Sequence, residues 1–291
     1  MINFSKYKNI YLYFSGLLIL TALAFLIIFG LRPGIEFQGG SVLEISFKED
    51  IPSLQEVDGA LSELNLGEYY LQRVEGDNFL IRTTRTDEDL QRKIMDSLEG
   101  AEQEYFESIG PVVGGELRRS SILAIFLASL AVILYIAFTF SGTTGRLSSW
   151  HYGLVTAGVG FSDVFIILGV FSLLGYLFEV QLTIPVTVAL LTTLGYSIND
   201  TVVVLDRIRE NMQKMKGSFQ EIVDVSLNQT LTRSINTSLT TILVLLSLLF
   251  LGGETLYYFV LALIMGVIIG TYSSIFLASS LILKWVERLT R

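Results

Sequence analysis

The 291-residue sequence contains no cysteine. That excludes disulfides, thiol catalysis, iron–sulfur clusters and Cys-type zinc sites. A single histidine, His151, excludes a two-His metal site within one chain. It leaves a Ser–His–Asp triad one possible base, at the edge of an apolar run. P-loop, Rossmann, HExxH and nucleophile-elbow patterns are absent. The sequence therefore gives no reason to expect an enzyme, a cofactor or a metal. Charge is also scarce. Asp, Glu, Lys and Arg make up 16% of residues, against about 25% in soluble domains. The apolar share is 51% and the mean hydropathy +0.58.

The charge deficit is uneven. Residues 32–120 hold nine basic and nineteen acidic side chains, a net charge of −10. The remaining 202 residues hold eleven basic and nine acidic ones. One ordinary soluble globule does not distribute charge this way. The pattern is that of a membrane protein with one polar domain inserted. The overall charge of −8 belongs to that domain, and no basic footprint points to nucleic acid.

Six apolar stretches are long enough to span a hydrocarbon core, which takes about 20 helical residues. They lie near residues 10–31, 121–140, 152–176, 182–205, 237–252 and 256–283, the fifth being short unless it begins near Arg233. The first follows Lys6 and Lys8, as in a secretory signal, and Ala22-Leu-Ala24 resembles a cleavage site. The apolar run continues through Phe25 to Phe29, where a cleavable signal turns polar, so an uncleaved anchor is expected. Lys and Arg cluster in alternate loops: Lys6 and Lys8, then Arg146, then Arg207, Arg209, Lys214, Lys216 and Arg233, then Lys284, Arg288 and Arg291. Loops 177–181 and 253–255 hold none. The positive-inside rule then places both termini in the cytoplasm and residues 32–120 outside the membrane.

Within 32–120 the pattern reads strand, helix, strand, strand, helix, strand. Residues 42–47 alternate with period 2. Pro52-Ser53 opens a helix with Leu54, Val57, Leu61 and Leu64 on one stripe. Segments 69–74 and 79–82 flank a hairpin turn at 75–78, and Thr86 with Asp89 has a capping signature for a helix over 86–98. Residues 103–109 form the last strand. This order is the α+β ferredoxin-like βαββαβ unit. In the cytoplasmic segment near 214–229, Phe219, Ile222, Val223, Ser226 and Leu227 share a helical face, with Glu221, Asp224 and Asn228 opposite. A short helix on the bilayer surface is the expectation, with a protein docking site as the alternative.

Ionisable groups at bilayer depth usually face a bundle interior for a functional reason. Asp163 lies about eleven residues into the third span, and Asp200 lies inside the fourth, flanked by Asn199 and Thr201. Each is either a carboxyl held by serine or threonine or a member of an ion relay. Arg233 opens the fifth span and heads a stripe of Thr237, Thr240 and Thr241, bordered by Asn236. It snorkels to the interface or pairs with Asp200. Gly266 and Gly270, extended by Ser274 and Ala278, form a small-xxx-small stripe suited to close helix packing. Asp206-Arg207-Ile-Arg209-Glu210 ends the fourth span as a salt-bridged anchor.

These residues resemble a known family. Gly195-Tyr-Ser-Ile-Asn-Asp-Thr-Val-Val-Val-Leu-Asp-Arg-Ile-Arg-Glu-Asn211 closely resembles the fourth-span signature of the SecF family of protein-export membrane proteins. Thr230-Leu-Thr-Arg-Ser-Ile-Asn-Thr-Ser238 resembles its fifth-span motif. Gly34-Ile-Glu-Phe-Gln-Gly-Gly40, with Phe37, Gly39 and Gly40, resembles its signature after the first span. Gly110-Pro-Val-Val-Gly-Gly-Glu-Leu117 and Gly270-Thr-Tyr-Ser-Ser274 resemble those of the second and sixth. The matches run in order along nearly the whole chain.

The resemblance implies six spans and a ferredoxin-like extracytoplasmic domain, in a fold related to resistance–nodulation–division transporters of the bacterial cytoplasmic membrane. It implies pairing with SecD, association with the SecYEG translocon, and contact with translocating preprotein and membrane lipids. It implies use of the proton or sodium motive force after ATP-driven translocation. Asp200 and Arg233 match the positions of ion coupling, and Asp163 a third-span acidic position. The family commonly has His-Asp where this chain has Ser162-Asp163, which puts a histidine relay in doubt. It often has Asp at Glu36, and Lys or Thr at Gln38. Two rivals are half of a small-molecule or lipid exporter, and a purely structural subunit that stabilises SecD.

Overall fold

The computed structural model describes residues 2–48, 51–64, 66–67, 69–74, 78–85, 88–139 and 149–289. Residues 75–77 of the turn expected at 75–78, the cap at Thr86 and the loop arginine Arg146 lie outside them. The chain divides into two compact units. One comprises Met1–Arg32, Ala124–Val180 and Pro185–Arg291, and the other Pro33–Leu123 and Gln181–Ile184.

The smaller unit is α+β. A one-turn helix α2 (Ile35–Gln38) precedes β1 (Gly40–Phe47), α3 (Leu54–Ser62), β2 (Tyr69–Arg73), β3 (Phe79–Thr83), α4 (Glu88–Ser97) and β4 (Ala101–Ile109). The sheet order is β2-β3-β1-β4 with antiparallel neighbours, the ferredoxin-like topology expected from the element order. Alternation on β1 buries Leu43 and Ile45 against Val57 and Leu61 of α3 and Leu90 and Ile94 of α4. Ser53 caps α3 through a full capping box with Glu56. Leu54, expected on the buried stripe, is exposed at the first position of α3.

Among the described residues, six helices are long and apolar enough to cross a membrane. They are built on α1 (Lys8–Ile28), α5 (Pro111–Thr139), α6 (Ser149–Phe178), α7 (Ile184–Lys214), α8 (Phe219–Leu251) and the run α9 (Glu254–Tyr272) into α10 (Ser279–Leu289). A π-helical turn, Ser273–Ala278, joins α9 to α10. In the larger unit α1 lies tight on α6. Gly169 leaves no room for a Cβ beside Ala22, and the Ser172 hydroxyl reaches the carbonyls of Phe25 and Gly30. The chain's beginning is also fastened to its later parts. Asp224 accepts hydrogen bonds from the Ser5 amide at 2.8 Å and hydroxyl at 2.6 Å, and Lys8 pairs with Glu287.

Two helices extend beyond the expected apolar runs. α7 continues through its charged tail to Lys214, where Arg207–Glu210 and Lys214–Glu210 pairs support it. α8 begins at Phe219, capped by Ser218 and Glu221. The segment near 219–229 is therefore the first part of a membrane-length helix, and no separate surface helix forms there. No Gly or Pro interrupts 219–251, so nothing breaks the helix at Arg233. Asp224, expected on the outer face, is buried by the Ser5 segment.

Candidate functional site

The two carboxylates inside the spans are each held by serines from neighbouring helices. Asp163 on α6 is fully buried. Its Oδ2 accepts from Ser197 of α7 and from Ser273 of the π turn, the latter at 2.6 Å. Its Oδ1 is buried with no hydrogen-bond partner. Asp200, half-buried, is one turn along α7 from Ser197. Its Oδ1 accepts from Ser234 of α8 at 2.7 Å, and its Oδ2 from Ser274 of the π turn. Adjacent serines on one turn thus serve the two carboxylates in parallel.

Close packing of α9 on α7 makes this possible. A Cβ at Gly266 would overlap the Thr193 side chain, and one at Gly270 would lie 3.2 Å from Ser197 Cβ. Small residues let the backbones approach and bring the next turn, with Ser273 and Ser274, to the aspartates. Thr193 and Thr201 on the same helix are buried, each with an unpartnered hydroxyl oxygen.

Arg233 stands apart from Asp200. No ion pair joins them among the described residues. The contact to Asp200 comes from the next residue, Ser234, which turns Arg233 to a different side of α8. Arg233, Asn236, Thr237 and Thr240 are exposed in the single chain, as is Asn199 on α7. Thr237 and Thr240 bond back to carbonyls of their own helix, to Arg233 O and to Asn236 O and Thr237 O. The hydroxyls that reach the carboxylates are serines. Sequence reasoning singled out Ser274 for packing and passed over Ser197, Ser234 and Ser273. Ser197 lies at i−3 from Asp200, a spacing that points to Asp200 and not to Asp163, the carboxylate it holds.

The post-helix-1 signature is built on close approach. Phe37 is buried. Gly39 and Gly40 have φ of +81° and +141°. A Cβ on Gly39 would sit 2.8 Å from Pro111 Cα, and one on Gly40 2.5 Å from Thr83 O. Glu36, on the same segment, has a buried Oε2 with no hydrogen-bond partner. Burial raises its pKa, and Glu107 adds to this. The backbone N–H groups of Glu36 and Ile184 and the Arg82 guanidinium pull the other way.

A serine-held pair of intramembrane carboxylates in a six-helix body, with an inserted ferredoxin-like unit, defines a class: polytopic membrane proteins that carry polar chemistry at bilayer depth. Two family models place the chain within it. "Protein export membrane protein SecD/SecF, C-terminal" matches residues 90–288, and the SecD/SecF GG motif matches residues 24–51. The chain belongs to the SecD/SecF family of protein-export membrane proteins. Protein translocase subunit SecF of Thermobaculum terrenum is 38% identical, over 99% of this chain and 95% of that one. Protein translocase subunit SecDF of Thermus thermophilus is 44% identical over 62% of this chain and 23% of its own. A crystal structure of SecDF from the same genus, described as a translocon-associated membrane protein, superposes with a TM-score of 0.87 at 33% identity. The match covers 99% of this chain and 39% of that longer one.

Proposed function

We propose that the chain is the SecF-type subunit of a SecD–SecF complex that joins the SecYEG translocon. In this reading the complex uses the proton or sodium motive force to draw preproteins outward after ATP-driven translocation. The observation that carries it is a hydroxyl-held Asp200 on α7 together with an open polar face on α8. Arg233, Asn236, Thr237 and Thr240 point outward from α8 within a membrane-length helix. A guanidinium at bilayer depth needs a carboxylate, a carbonyl or water. Helices of a SecD-type partner supply that cover. Asp200 then cycles its protonation, Arg233 acts as its charge partner when the helices shift, and Asp163 modulates the cycle. The acidic unit around residues 32–120 stands outside the bacterial cytoplasmic membrane, with both termini inside and lipid around the helices. Each cycle swings that unit, which holds or releases the emerging chain. The work is mechanical and no bond is made or broken in the preprotein.

The energy is sufficient, since one charge moved across 100 mV releases about 2.3 kcal/mol. The test is Asp200→Asn, measured as export driven by an imposed ion gradient in vesicles after ATP is removed. Loss of the gradient-dependent phase, with the ATP-dependent phase intact, is the expected result. Wild-type gradient-driven export in the variant would remove the proposed role of Asp200.

A further inference from the structure

Among the described residues the carboxylates bond to hydroxyls, not to cations, and two of those hydroxyls have a second acceptor in reach. Ser273 Oγ lies 2.6 Å from Asp163 Oδ2 and 3.1 Å from the Gly270 carbonyl. Ser274 Oγ contacts Asp200 Oδ2 and lies 3.0 Å from the Thr271 carbonyl. A hydroxyl has one hydrogen and two lone pairs, so it donates in one direction at a time. Facing a carboxylate, it donates to the carboxylate. Facing a carboxylic acid, it accepts the acid's O–H and turns its own hydrogen to the carbonyl three residues back. The serine hydroxyl has a partner in both protonation states with the heavy atoms in place.

We propose that Ser273 and Ser274 are a paired set of positioning residues that couple proton occupancy at Asp163 to proton occupancy at Asp200 through the π-helical turn. This rests on the reading of Asp200 as an ion-coupling group and adds a second, linked site. A proton arriving from water binds Asp Oδ2 and forms one O–H bond there. The serine keeps its own hydrogen, which only rotates, and the proton later leaves to water. The rotation loads a carbonyl of the same turn, Gly270 for one serine and Thr271 for the other. The two carbonyls belong to consecutive peptide groups, so a change in the load on one polarises the other. A second strap runs through α7, where Ser197 holds Asp163 one turn before Asp200. Short π segments inside α-helices often mark functional positions. Here the turn lets adjacent side chains reach aspartates on two different helices. The neighbouring titratable and charged side chains are Tyr196, whose hydroxyl pairs with Ser238, Tyr272, whose hydroxyl pairs with Ser15, and the outward Arg233.

The test is infrared titration of protonated carboxyl groups in the full chain in lipid nanodiscs, with bands assigned by Asp163→Asn and Asp200→Asn. Linkage requires the coupling to be reciprocal. Asp163→Asn should move the Asp200 midpoint by about one pH unit, a tenfold change in proton affinity. Asp200→Asn should move the Asp163 midpoint equally. Both shifts should vanish on a Ser273→Ala/Ser274→Ala background and persist with Ser273→Thr/Ser274→Thr. Should the double alanine chain not fold, Ser273→Ala alone serves. It touches Asp163 and not Asp200, yet should move the Asp200 midpoint. Absence of any shift, or a shift that survives loss of both hydroxyls, overturns the proposal. The readout does not depend on export, so a failed export role for Asp200 and a failed coupling are told apart.

Discussion

Gly40→Ala isolates what the post-helix-1 signature requires. The new Cβ would sit 2.5 Å from the Thr83 carbonyl oxygen and 3.1 Å from Ile35 Cγ2. Thr83 is the register partner of Ser41, so its carbonyl is fixed in the β1–β3 ladder and cannot rotate away. The substitution has two costs. A side chain at φ +141° is strained by about 1–2 kcal/mol. Overlap with a fixed backbone adds about 1–3 kcal/mol. Gly100→Ala is the control, because φ there is +79° and nothing lies within 4 Å of the added carbon. It reports strain alone. The difference between the variants, about 1–3 kcal/mol, corresponds to about 5–150-fold in local opening. Amide hydrogen exchange of β1 and β3 in the full chain reads it directly. Gly40→Ala should lose protection in both strands, while Gly100→Ala should lose much less. Equal protection in the two variants would refute the close-approach reasoning.

Two further outcomes are expected. Gly266→Ala should destabilise the larger unit by about 1–3 kcal/mol through overlap with Thr193. Thr193→Ala should recover part of that, at little cost alone, since its buried hydroxyl has no partner. A thermal-unfolding double-mutant cycle in detergent that came out additive would count against direct contact. Glu36 gives a pH dependence. Its folded pKa is raised, so the native state binds more protons than the unfolded state between the ordinary and the raised values. Its contribution is therefore greatest at low pH and declines as pH rises through that window. Glu36→Gln should flatten this limb of the stability–pH curve, and an unchanged slope would contradict the burial argument.

The six spans and the βαββαβ unit were legible because each rests on a strong periodic or apolar pattern. The helix ends were not. α7 and α8 run on through charged segments, where hydropathy falls but the backbone has no reason to stop. At the site the aspartates stood out as charges in apolar runs. Their partners did not, because serine is common inside spans and its meaning depends on which neighbouring helix it meets. Arg233 shows the limit of one-dimensional reasoning. Its stripe of threonines is real, yet helical rotation aims it away from Asp200 and leaves Ser234 to make the contact. The serine contacts of Asp163 and Asp200 depend on α9 packing against α7, which a stripe of small residues suggests without naming its partner.

The fastening of Ser5 to Asp224 bears on biogenesis. That contact closes a loop of 219 residues, and the Lys8–Glu287 pair closes one of 279. Neither can form until the second partner has left the ribosome. The helix α1 is thus made well before the residues that fix its entry segment. Of the main packing partners of α1, α6 is the one made before those residues.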